Sequence, residues 1–295
     1  MKQFFIGMAA LLTAAFNPAI ARAAVRPSPP PQEMEVYAVA SDGTPLEWIV
    51  FTPAGNGPWP AVLVIHGGNF YGGEKGDSGA TTCAQDLANA GYLAFSIDYR
   101  LAPPGSLPGQ RSLGRFPDQY DDVQLAVQAA RDDPRSNGKV GAVGGSSGAT
   151  HSSWAATTGQ PGRDRLDVAV CLSGAYDFSD FRPDDGLALF IAVVTNYVGV
   201  PSTDTAALRL ASPAWVLRRT VAPLYLVDSV DDLMPAGQLD DMVARLQEAG
   251  ARNYEAMSIP GSGHSFENWS QIKPQAFSFL ASSLSRGSGQ SEGVR

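Results

Sequence analysis

Five short, uninterrupted apolar runs set the strongest limit on how this chain can fold: Ala61–Ile65, Tyr92–Ile97, Val140–Val143, Val168–Leu172 and Pro223–Val227. A strand with one face in water alternates apolar and polar residues. A continuous apolar run bounded by turn residues marks a strand covered on both faces, as in a parallel sheet. Between most of these runs lie stretches with helical spacing and stop signals. Thr81–Asn89 closes with Gly91, Asp118–Arg131 precedes Pro134, and Ala236–Glu248 ends at Gly250. Strand, helix, strand in repetition describes one doubly wound α/β domain. Ahead of it, Glu33–Ala40 and Leu46–Phe51 alternate around the turn Asp42-Gly43, a hairpin signal. A weaker strand is expected over Tyr254–Ile259.

The remaining segments set the domain limits. Residues 1–23 combine Lys2, an apolar stretch from Phe4 to Phe16 and the small-residue site Ala21-Arg22-Ala23. That is the pattern of a secretory signal peptide, with an apolar stretch too short to span a bilayer. Its removal implies a secreted or periplasmic protein. Residues 24–32 read as a Pro-rich extended spacer, 33–285 as the α/β domain, and 286–295 as a disordered Gly/Ser-rich tail. Residues 177–220 break the rhythm. They are too many for an ordinary connection, so a small cap over the carboxyl edge of the sheet is expected.

Charge and composition narrow the partners. Net charge is −8, and loss of Lys2 and Arg22 with the signal peptide takes it to −10. An acidic surface argues against nucleic acid and anionic membranes as partners. No later stretch approaches the apolar length of a membrane span. Cys83 and Cys171 lie inside expected elements in apolar surroundings and read as buried free thiols. His66, His151 and His264 are scattered, with no metal-ligand spacing, so no metal is expected.

Within this frame, Gly144-Gly145-Ser146-Ser147-Gly148 matches G-x-S-x-G. In a chain with 31 glycines the pentapeptide alone decides nothing, and a Gly/Ser-rich linker would look the same. Position decides it. The motif follows the buried strand Val140–Val143 and precedes a helix expected from Ser147, which is where a nucleophile elbow sits. A serine needs a base, and the base an orienting acid. His264 lies in a Gly-flanked loop after the weak strand. Asp228, Asp231 and Asp232 follow the strand ending at Val227, and the residues alone leave the choice among them open. The Ser147 N–H and the loop His66-Gly67-Gly68-Asn69-Phe70 offer donors for an oxyanion. His66 itself reads as a buried hydrogen-bonding residue.

These pieces together resemble the α/β-hydrolases, in particular the serine esterase and lipase group of hormone-sensitive-lipase-like carboxylesterases and small acetyl or feruloyl esterases. The matching residues are His66 to Phe70, Asp98-Tyr-Arg-Leu-Ala-Pro103, Phe116-Pro117 with Asp121-Asp122, Gly144 to Gly148, Ala211-Ser-Pro213, Asp231 to Pro235 and Gly263-His264. They span residues 60–270. The resemblance implies an α/β-hydrolase fold, with a mostly parallel eight-stranded sheet, helices on both faces and a short cap insertion. It implies Ser146 as nucleophile, Asp231 as acid and His264 as base, with the backbone of Gly68, Asn69 and Ser147 as oxyanion donors. It implies a small-molecule ester substrate and no cofactor. Asn69 stands where many relatives carry a third glycine, and Pro104 replaces a common acidic residue. The short amino-terminal region favours the smaller esterases. A shallow pocket under a short cap implies short acyl chains. Two other readings are a peptidase of prolyl-oligopeptidase type, disfavoured without a propeller domain ahead of this one, and a non-catalytic binding protein, disfavoured by the intact triad.

Overall fold

A computed structural model describes residues 32–105, 110–111, 113–183, 187–218 and 220–284. Eight strands form one sheet: β1 (Gln32–Val39), β2 (Pro45–Phe51), β3 (Trp59–Ile65), β4 (Leu93–Ile97), β5 (Ser136–Gly145), β6 (Val168–Leu172), β7 (Leu224–Ser229) and β8 (Tyr254–Ile259). Their spatial order is β1-β2-β4-β3-β5-β6-β7-β8. The β1–β2 hairpin is antiparallel, and β2 joins β4 antiparallel. From β4 through β8 every pairing is parallel.

The continuous apolar runs have a direct cause. In β3, Ala61, Leu63 and Ile65 face one core, while Val62 and Val64 face another on the opposite side of the sheet. The first core is closed by α2 (Asp118–Asp132), α3 (Ser147–Thr157) and α6 (Gly237–Glu248). The second is closed by α1 (Ser78–Asn89) and α7 (Trp269–Leu284). With both faces covered, nearly every position in these runs takes an apolar side chain, and alternation disappears. Cys83 and Cys171 are buried free thiols, one in each core.

Several boundaries differ from those expected. The strand expected over Val140–Val143 begins four residues earlier, because Ser136 pairs with Trp59 across β3. Gln32, expected at the end of the spacer, already pairs with Phe51 in β1. The sequence pattern does not single out α7, whose helical spacing is interrupted by Pro274. Residues 177–220 contribute α4 (Leu187–Val198), α5 (Thr205–Leu210) and a single 3₁₀ turn at Pro213–Trp215. Phe190, Val193, Val194 and Tyr197 form the buried face of α4. They pack with Phe70, Tyr120 and Phe178, and Tyr197 stacks on Phe70 at 4.3 Å between ring centroids. The expected signal peptide, the spacer up to residue 31 and the tail lie outside the described residues. Among the described residues no helix is long and apolar enough to cross a membrane.

Candidate active site

Ser146 stands between β5 and α3 with φ 54° and ψ −122°. A non-glycine residue in this region is strained, and it persists only where the surroundings fix it. Here the strand and helix are too close for any other path. A Cβ on Gly148 would lie 2.0 Å from the carbonyl oxygen of Ile65, and one on Gly144 would lie 2.1 Å from that of Gly148. The Ser146 N–H donates to Leu172 O at 2.8 Å, which pins the turn to β6. The Gly/Ser-rich stretch is therefore neither linker nor loop. Its hydroxyls turn back into α3: Ser152 to Gly148 O at 2.8 Å, Ser153 to Thr150 O at 2.8 Å, Thr157 to Ser153 O at 2.9 Å. This local bonding lets a Ser/Thr-rich helix be buried on nearly every side.

His264 reaches the same place from the loop after β8. Its Nδ1 lies 2.6 Å from Asp232 Oδ1. A carboxylate can only accept here, so the proton sits on Nδ1 and the Nε2 lone pair is left free. This corrects the expectation for Asp231. A tight turn, closed by the Asp232 N–H donating to Ser229 O at 3.2 Å, carries residue 232 back over the end of β7. Asp231 is left exposed, its N–H bonded to Gly261 O at 3.0 Å. The Asp232 side chain is only 3% exposed. Burial alone would raise its pKa, but donors from His264, the Met234 N–H and Ser173 outweigh that and hold it below the ordinary value. Asp228, the third candidate, belongs to β7 and pairs with Ser258 of β8.

The loop after β3 is equally constrained. Gly68 has φ 126°, and a Cβ there would meet Gly72 O at 2.1 Å. Asn69 and Phe70 follow at φ 56° and 64°. Among the described residues, the N–H groups of Gly68, Asn69 and Ser147 donate to no protein acceptor. All three residues line one cavity of about 300 Å³ together with Ser146 and His264. The rest of its wall is apolar apart from Ser265, and includes Phe70, Ala175, Leu189, Phe190, Val193, Val194, Leu233 and Met234. On the other side of His264 lies an open cleft of about 570 Å³, lined by Asp77, Ser78, Gly79 and Glu267. His66 is buried, donates from Nδ1 to Gly67 O at 2.7 Å and stacks on Tyr99. Burial pushes its pKa below the ordinary histidine value, consistent with a structural part. No group of three or more His, Cys, Asp or Glu among the described residues is arranged to hold a metal.

The family model BD-FAE matches residues 49–246, two thirds of the chain. The chain belongs to the BD-FAE family. A search of curated proteins finds no sequence match. Among solved structures, this BD-FAE family member is similar to the apo form of Thermogutta terrifontis esterase 2, with a TM-score of 0.67 and 20% identity, covering 87% of this chain and 96% of that one. The form phosphonylated by sarin gives a TM-score of 0.69 at 19% identity, over 87% and 96%. A truncated carbohydrate esterase from gut microbiota gives 0.68 at 18% identity, over 87% and 99%. These likenesses establish the α/β-hydrolase fold.

Sequence reasoning missed two residues of the site. Asp232 is one of the three aspartates that the residues leave open, and the resemblance points to its neighbour instead. Ser173, just after β6, donates to Asp232 Oδ2 at 2.6 Å, and no motif marks it.

Proposed function

We propose that the protein is an exported serine carboxylic ester hydrolase that works on short-chain acyl esters through an acyl-enzyme. One observation carries the reading: a strained serine, a histidine with a bare Nε2 and three free N–H groups border one small apolar cavity. Ser146 Oγ attacks the ester carbonyl while His264 Nε2 takes its proton. The resulting oxyanion is met by the N–H groups of Gly68, Asn69 and Ser147, with the amino end of α3 behind it. Asp232 stabilises the imidazolium. His264 then protonates the leaving alkoxide, and a water activated by the same Nε2 releases the acid and restores Ser146.

The two cavities differ in character, which suggests how the ester lies. The apolar one suits a short hydrocarbon acyl group. The cleft beyond His264 mixes apolar and small residues with two carboxylates, Asp77 and Glu267, and a neutral, hydroxyl-bearing alcohol fits it better than an anionic one. The likeness to a carbohydrate esterase supports a hydroxyl-bearing alcohol, and the phosphonylated neighbour supports a reactive serine. The amino-terminal pattern of residues 1–23 supports export.

The test is labelling with a fluorophosphonate, followed by turnover of nitrophenyl esters of rising chain length. Wild-type protein is expected to take one label, at Ser146, and Ser146→Ala none while remaining folded. Equal labelling of both proteins refutes the assignment. kcat/KM is expected to peak between acetyl and about hexanoyl, and a value still rising past dodecanoyl contradicts the short-chain reading.

A further inference from the structure

We propose that Ser173 is a positioning residue of this catalytic centre, its hydroxyl locking the Asp232 carboxylate to the His264 loop. The inference rests on the serine hydrolase reading above. Ser173 follows the last residue of β6 with φ 56°, and its N–H donates to Val227 O at 2.7 Å on the neighbouring strand. That backbone aims a buried side chain between the loop that carries Asp232 and the loop that carries His264. Its Oγ donates to Asp232 Oδ2 at 2.6 Å and accepts the N–H of Ser265 at 3.0 Å. A hydroxyl has one proton. With the Ser265 N–H on its acceptor side, that proton is directed at the carboxylate.

The remaining bonds of Asp232 show what this one adds. Oδ1 accepts from His264 Nδ1 and from the Met234 N–H at 2.9 Å. Among the described residues Oδ2 has, besides Ser173, only the Ser229 N–H at 3.2 Å. The Ser173 bond is thus the short, charge-assisted one on that oxygen. Without it Oδ2 keeps only the longer Ser229 bond, so the carboxylate is held less firmly about its Cβ–Cγ axis, and the Nδ1 bond and the His264 ring are loosened with it. The Ser265 N–H, next to the base, loses its acceptor as well. Ser173 does not line the apolar cavity, so substrate binding does not depend on it.

The prediction is a loss in kcat of about 10- to 100-fold in Ser173→Ala, the weight of one hydrogen bond to a charged group, with KM within about twofold. Ser173→Gly removes the same hydroxyl, and glycine accepts a positive φ without strain, so this variant keeps its fold and should show the same loss. Ser173→Cys, with a weak donor of similar shape, should recover part of the rate. Proton NMR gives a readout independent of turnover: the low-field resonance of the His264 Nδ1 proton should shift or broaden in both Ala and Gly variants. A folded Ser173→Gly protein with wild-type kcat and an unmoved resonance overturns the proposal. Wild-type protein that shows the resonance yet ignores the fluorophosphonate instead overturns the hydrolase reading, and the role assigned to Ser173 goes with it.

Discussion

A carboxylate that accepts four hydrogen bonds has little freedom left, and Asp232 is such a group: His264, Ser173, Met234 and Ser229 all donate to it. Asp232→Asn replaces an acceptor with an amide that cannot hold Nδ1–H in the same tautomer. Loss of turnover of about 10⁴-fold is expected, against a change of less than about threefold for exposed Asp231→Asn. Steady-state kinetics on the two variants decides it, and a crippled Asp231→Asn would restore the assignment drawn from the resemblance. Asp231 and Asp232 are the same residue type in the same loop. What separates them is which one a four-residue turn folds inward, and that depends on the Ser229–Asp232 hydrogen bond rather than on any pattern of residue types. Ser173 was illegible for a related reason. A lone serine after a strand acquires meaning only from the two loops it meets. Ser146 and His264, by contrast, could be found because strand ends and loop order place them, and both are properties of the chain's periodicity.

At the level of elements, α4 and α3 pose opposite constraints on the cavity. The buried stripe of α4 repeats at 190, 193, 194 and 197, and three of those side chains line the cavity wall. Val193→Phe should fill the far end of the acyl space. Each buried methylene is worth about 0.8 kcal/mol, or about fourfold in kcat/KM, so hexanoyl esters should lose roughly 10- to 60-fold while acetyl esters change little. A uniform drop across chain lengths would mean that α4 does not face the acyl group. For α3 the constraint is contact with the sheet. Gly148→Ala drives a methyl group into the backbone of Ile65 and His66, which cannot move without opening β3. A loss of about 1–3 kcal/mol or more in urea unfolding is expected, together with loss of fluorophosphonate labelling. The strands were legible because coverage on both faces leaves an uninterrupted apolar signal. The inward face of α4 was not, since nearly all its residues are apolar and Leu189, 61% exposed, reads like its buried neighbours.

Buried histidines give the stability of the whole molecule one source of pH dependence. His151 lies in α3 among Phe70, Tyr99, Tyr120 and Tyr197. Its Nε2 donates to Gln119 Oε1 at 3.0 Å, since the Gln119 amide nitrogen already serves Phe70 O and Gly114 O. Among the described residues Nδ1 has no partner, and burial drives the pKa down to about 3. A histidine depressed by folding contributes stability that is full above its unfolded value near 6.5 and is lost as pH falls toward the folded one. Between pH 6 and 5 the unfolding free energy should therefore fall by about 1.2 kcal/mol from this residue, with His66 acting in the same direction. His151→Gln keeps a donor for Gln119 and cannot take up a proton, so its slope in that window should be shallower; equal slopes would place the acid sensitivity elsewhere. The same close quarters around α3 divide the molecule into a part that cannot be edited and a part that can. Ten of its eleven residues are buried, so nearly every substitution in the helix behind the nucleophile disturbs the sheet. At the mouth of the cavity, Leu189 and Leu233 stand 61% and 73% exposed and touch no catalytic group in a hydrogen bond. A mutant library meant to redirect substrate choice should be concentrated on those rim positions and the cavity face of α4, where diversity costs little folding and every accepted change reshapes the wall that the acyl group meets.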